Sequence, residues 1–277
     1  MKRVRRLAIA ILVLGGCGRI GFGGGDDAGG DDGPVGDGSR LGVGLEFYYP
    51  LDQSAGHAVP DASGHARNGY AWDPTTHMQW LAGGGVVGGA LHFDGTAYES
   101  FALFPAAGSM CGSAPALTGS LTLSAWAKFD SFGDWSGYSL GDFIIGRGEG
   151  GGTGGGWGLG ATNGCGAETA GFEVSVDSGR YAIVCGTTAL SPGTWHHLAG
   201  VFDAAAQTMD VYVDGMLDTG PMTSDSAAIP SSSVPTGMCP YLGAGANQQH
   251  LLVGSVDEAR VYSRPLTAAE LAQLATP

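Results

Sequence analysis

The sequence predicts an all-β chain: a two-sheet antiparallel jelly-roll sandwich with a short C-terminal helix. Three observations carry this. In the run from Trp195 to Gly215, Met209, Val211 and Val213 share one face while Asp210, Tyr212 and Asp214 share the other, which is the period-two alternation of a half-buried strand. Asp214-Gly215 then supplies the positive φ angles of a tight hairpin. Similar short apolar runs recur along the chain between Gly-rich turn signals, and many evenly spaced strands argue for a sandwich or jelly roll.

The elements follow in order. Strands are expected at 45–51, 90–93, 98–103, 120–129, 142–146, 156–161, 171–177, 181–185, 194–202, 208–214 and 251–263. Thr267-Ala-Ala-Glu270 reads as a capping box opening a helix over 268–274. Residues 45–277 are the right size for one domain, since single all-β domains run to roughly 200–250 residues.

The start of the chain has a different character. Lys2, Arg3, Arg5 and Arg6 precede a short apolar run that ends in Leu14-Gly15-Gly16-Cys17. The run is too short to span a bilayer and has the layout of a secretory signal. Small residues before Cys17 resemble the bacterial lipoprotein signal, in which that Cys is lipidated and becomes the mature N-terminus. By that resemblance residues 1–16 are a signal peptide, and Gly18 rather than Asp points to the outer membrane or cell surface. Residues 17–44, mostly Gly and Asp after Cys17, cannot bury a core and read as a flexible tether. Loss of the signal leaves 8 basic against 26 acidic residues, a formal charge of −18. Such a chain is repelled by nucleic acid and by anionic membrane surfaces, so lipid is met only through the anchor.

Residue chemistry narrows the candidates. Without Cys17, four cysteines remain in an exported chain, Cys111, Cys165, Cys185 and Cys239, and disulfides are the default expectation. Of three connectivities we favour Cys165–Cys185 with Cys111–Cys239. A zinc site lacks any CxxC pair. His196 and His197 are strand neighbours, so their rings point to opposite faces and cannot chelate together. Gly146, Gly148 and Gly151 match a dinucleotide-loop spacing, but with 52 glycines chance matches are expected and no helix can start at 152–156. Sugar sites combine aromatic faces with hydrogen-bonding side chains. The ligand candidates are therefore Trp135, Tyr138, Trp157, Asn247, Gln249 and His250. Trp126 and Trp195 sit in alternating strands and read as core, while Trp72 and Trp80 fit either class.

Several blocks together resemble the laminin-G-like jelly roll of the concanavalin A-like lectin/glucanase superfamily. They are Tyr49-Pro50-Leu51-Asp52 with Pro60-Asp61-Ala62-Ser63-Gly64, Gly89–Gly95, Leu121–Trp126, Trp195–Asp203 with Tyr212-Val213-Asp214-Gly215, and Gly254–Tyr262 with Pro265–Glu270. They occur in order over nearly the whole domain. The resemblance implies two antiparallel sheets and ligand recognition at the concave face or its rim. Relatives that hydrolyse glycans carry a Glu-x-Asp-x-x-Glu-like set on one strand; here Glu173 and Asp177 have no third partner, and Asp257 and Glu258 are adjacent and should face opposite ways. The expectation is therefore not an enzyme. The resemblance also implies a structural calcium with Asp61, Asn68, Asp94 and Asp257 as candidate ligands. Asp61 and Asp94 have a second reading, as Asx-type turn residues. The expected function is a non-catalytic, membrane-anchored surface lipoprotein that binds a glycan or an extracellular or envelope protein. The alternatives are an envelope interaction module without glycan binding, or a glycan-active hydrolase.

Overall fold

Strand alternation builds two sheets whose inner faces share one core. In the computed structural model the described residues are 37–95, 116–133, 140–147, 156–162, 168–177, 180–224, 229, 240–244 and 250–277. The chain runs through a 3-10 turn (Asp37–Gly42), β1 (Leu45–Tyr49), β2 (Ala58–Val59), β3 (Gly69–Tyr70), β4 (Met78–Leu81), β5 (Ala90–Asp94) and β6 (Leu121–Ser131). It continues through β7 (Phe143–Arg147), β8 (Trp157–Thr162), β9 (Thr169–Asp177), β10 (Arg180–Ala189), β11 (Trp195–Asp203) and β12 (Thr208–Val213). The last elements are β13 (Met216–Thr223), β14 (Pro240–Leu242), β15 (Val253–Tyr262) and the helix α1 (Ala268–Leu274).

The larger sheet has the order β13-β12-β11-β6-β15-β5-β4, with β1 also paired to β15; the second is β10-β9-β8-β7-β14, and β2-β3 form a separate ribbon. Adjacent strands pair antiparallel, as the sequence predicts for a sandwich; the 11-residue β6 carries Leu121, Leu123, Ala125, Ala127 and Phe129 into the core. Met209, Val211 and Val213 lie in the same core, as their alternation requires. The sheets close tightly where β11 crosses β9: a Cβ on Gly200 would sit 2.2 Å from the Phe172 ring. Only a residue without a side chain fits there. Asp214 and Gly215 have φ of 50° and 77°, which makes the β12–β13 turn the expected Asp-Gly type.

A second apolar cluster lies on the opposite face of the larger sheet. There α1 packs Leu271 and Leu274, with Leu266, onto Ala199, Val201, Tyr212 and Tyr262. The helix opens with the expected capping box, Thr267 accepting from the Glu270 amide and Glu270 from the Thr267 amide. Glu270 also takes both Nη groups of Arg264, at 3.0 and 2.6 Å. Arg264 in turn holds the Val43 carbonyl through Nε (2.7 Å) and the Arg40 carbonyl through Nη2 (2.8 Å).

Some expectations need correction. Residues 37–44, expected as tether, belong to the folded unit that starts at Asp37, because Arg264 binds their backbone and Leu41 packs on the helix cluster. Trp126 is buried, as expected, but on the outer face of the larger sheet rather than between the sheets, and Trp195, on the same face, is only partly buried. The core positions of β6 and β11 are the alternate ones, so both indoles lie on the outer face. Trp126 meets the His197 ring edge-on, and the Lys128 ammonium stands 5.2 Å from the Trp195 ring centre. Strand 98–103, the signal segment 1–16, Cys17 and residues 18–36 lie outside the described residues.

Candidate functional site

The outer face of the larger sheet is closed by its own polar network. Val256 and Ala259 both face the core, so a β-bulge turns the two residues between them, Asp257 and Glu258, to the same outer side. The expectation that they face opposite ways fails for this reason. Glu258 accepts from Tyr48 Oη at 2.9 Å and pairs with Arg260, whose guanidinium carbon lies 4.0 Å from the Tyr48 ring centre. Asp257 accepts from the Val86 and Val87 amides at 2.8 and 3.0 Å, which folds the β4–β5 loop over the sheet. Burial pushes the Asp257 carboxyl up to about 7. His197 Nε2 lies 2.8 Å from Ser124 Oγ, and burial, with Arg260 adding repulsion, depresses this imidazole to about 4. Both residues have zero exposure, so this serine–histidine contact is out of a substrate's reach. His196, on the other face, bonds the half-exposed Asp214 instead.

The expected ligand residues divide. Trp157 is 2% exposed and sits in the inter-sheet core, because β8 turns Trp157, Leu159 and Ala161 inward together; it is not a ligand residue. His250 is also buried, packed edge-on against Phe143 at 6.0 Å, with its carbonyl accepting from the Phe143 amide. Burial lowers its pKa, so it serves packing rather than display. Trp135, Tyr138, Asn247 and Gln249 lie outside the described residues, as do Cys111, Cys165 and Cys239. Cys185 is disulfide-bonded.

The expected calcium ligands do not form one oxygen cage. Asp61 is saturated by the amides of Tyr48, Ser63 and Arg67 and by Ser63 Oγ, at 2.7–3.1 Å, which is its Asx-type reading. Asn68 accepts from the Asp61 amide. Because the Tyr48 amide and carbonyl face the Asp61 loop, β1 stands between that loop and β15, which carries Asp257. Asp94 is bonded to His77 Nδ1 at 3.0 Å. Among the described residues no three His, Cys, Asp or Glu side chains converge for a metal.

What the described surface does display is an aromatic corner on the β2–β3 ribbon. Gly69-Tyr70-Ala71-Trp72 alternates: Gly69 and Ala71 are buried, while Tyr70 is partly exposed and Trp72 is 49% exposed. The Tyr70 and Trp72 rings meet at 5.9 Å and 73°, and His57 stacks on Tyr70 at 5.0 Å and 12°. The corner is pinned from behind. Trp80 Nε1 donates to the Gly56 carbonyl (2.8 Å), and Tyr49 Oη donates to the Arg67 carbonyl (2.6 Å). The ladder continues past the strands, with the Ala71 amide on the His57 carbonyl and the His57 Nδ1 on the Ala71 carbonyl. By sequence alone Trp72 fits either a core or a ligand position. The small–aromatic alternation in Gly-Tyr-Ala-Trp was the available signal, too short to stand as a strand on its own.

The sequence also matches the Laminin_G_3 family model, described as concanavalin A-like lectin/glucanases superfamily, over residues 94–272. No curated protein matches it. Solved structures of similar fold include the binding domain of Paraclostridial Mosquitocidal Protein 1, with TM-score 0.60 and 13% identity, covering 85% of this chain and 52% of that one. Domain 4 of the extracellular arabinanase AbnA from Geobacillus stearothermophilus, solved with arabinotriose, has TM-score 0.59 and 18% identity, covering 84% and 98%. Trypanosoma rangeli sialidase, with the inhibitor DANA, has TM-score 0.55 and 16% identity, covering 84% and 33%. The chain thus spans about half of the first structure and a third of the sialidase. Both the jelly-roll fold and the match over most of the chain make this protein a member of the Laminin_G_3 family of the concanavalin A-like lectin/glucanases superfamily.

Proposed function

We propose that this chain is a non-catalytic surface lipoprotein, anchored through Cys17 in the outer membrane, whose jelly roll binds carbohydrate. The observation that carries the reading is the half-exposed Trp72 beside Tyr70 and His57, held on a ribbon pinned to the body of the domain. An aromatic ring offers a sugar's apolar face large contact area with little side-chain entropy to lose. The arabinotriose complex of a structure of similar fold supports a glycan as ligand. The basic start, the short apolar run and Gly15-Gly16-Cys17 support the anchor.

A glycan array probed with the purified full chain tests the binding. A hit is expected, and Trp72→Ala should abolish it without changing the melting temperature. An array without hits overturns the reading. Reducing-sugar release from the bound glycan would overturn its non-catalytic part. Palmitate labelling that persists in Cys17→Ala would overturn the anchor.

A further inference from the structure

We infer that the aromatic corner takes one terminal, uncharged pyranose residue rather than a stretch of polysaccharide. This rests on the carbohydrate-binding reading above and specifies its ligand. A flat, ribbon-like polysaccharide, whose successive rings share a plane, needs ring platforms lying in one plane. Tyr70 and Trp72 are 73° apart at 5.9 Å, so they form a floor and a wall, and two consecutive sugars of such a chain cannot lie flat on both. His57 lies parallel to Tyr70 at 5.0 Å and occupies one face of that ring, so it does not extend the platform. A corner of this shape seats a single ring, its apolar face on one indole or phenol and its edge against the other.

The polar and charged groups point the same way. His57 Nδ1 donates to the Ala71 carbonyl at 2.8 Å, which leaves Nε2 as the ring nitrogen to meet a sugar hydroxyl. The Asp73 carboxylate, next in the chain to Trp72, has one oxygen, Oδ1, accepting from the amides of Thr75 and Thr76 and from Thr75 Oγ1. It leaves a fixed negative charge beside Trp72, on a chain with 26 acidic and 12 basic residues. An anionic glycan would be repelled at long range and at the site.

Calorimetric titration of the full chain separates the possibilities. The probes are methyl glycosides of neutral hexoses, the matching oligosaccharides of increasing length, and a sialylated glycoside of equal size. The best methyl glycoside should bind within about threefold of its longest oligosaccharide, because contacts end at one residue. Trp72→Ala should weaken binding at least ~10-fold, Trp72→Phe less, and Tyr70→Phe within about twofold, since the hydroxyl is not part of the stacking. The sialylated probe should not bind. Affinity that climbs by more than ~10-fold with chain length, or that survives Trp72→Ala, overturns the inference while leaving carbohydrate binding intact. Absence of binding to every probe and to the array overturns both.

Discussion

Glu270 joins the two ends of the folded unit, and its removal is the most direct test of that arrangement. Its carboxylate receives both Nη groups of Arg264 and the amide and hydroxyl of Thr267, while Arg264 holds the backbone of residues 40 and 43. The Arg264 pairing, chiefly, lowers its pKa from 4.5 to about 2. That difference corresponds to roughly 3 kcal/mol of preference for the ionised form in the folded state. The Arg264 side chain is 23% exposed and water screens part of this, leaving about 2 kcal/mol. Because the folded-state pKa is depressed, the stabilisation is complete above pH 4.5 and is lost as pH falls through 2. Glu270→Gln keeps the side-chain shape and removes the charge. Urea unfolding should therefore show a wild-type advantage of about 2 kcal/mol at pH 7 that shrinks to about 1 kcal/mol at pH 3. An equal gap at both pH values would refute the electrostatic argument and leave Glu270 as a neutral cap.

Three further outcomes follow from the buried groups. His197 is depressed to about 4, so its contribution is complete above pH 6.5 and is lost as pH falls through 4. His197→Gln should flatten the acid limb of stability in that window by roughly 3 kcal/mol in urea melts. Asp257 has the opposite sign: raised from 3.8 to about 7, it favours the folded state below 3.8 and loses that advantage as pH rises through 7. Asp257→Asn, which keeps an acceptor for Val86 and Val87, should gain roughly 3 kcal/mol relative to wild type between pH 4 and pH 8, measured by the same melts. Gly200→Val would drive a methyl-bearing carbon into the Phe172 ring and should cost about 3 kcal/mol or more, read as a lowered thermal midpoint.

Legibility in the sequence followed the range of the interaction. The β11–β12 strands, the Asp214-Gly215 turn and the Thr267–Glu270 box are local patterns, and each formed where the residues predict it. The burial of Trp126 is legible but its face is not, because period-two alternation shows that two faces exist and not which one meets the other sheet. Asp257 and Glu258 were misplaced because a bulge adds a residue without marking the sequence. Trp157 looked exposed amid glycines, yet it packs in the core because β8 is covered by the facing sheet.

Local patterns suffice for the all-β class, the order of most strands, the final helix and its cap, since these depend on periodicity and on hydrogen bonds between near neighbours. Tertiary structure alone decided which aromatics became a surface. His57, Tyr70 and Trp72 are brought together by two-residue strands too short to register as a pattern, and held by Trp80 and Tyr49 from elsewhere in the chain. Exposure is a property of what packs behind and beside a ring, and no local run of residues encodes it.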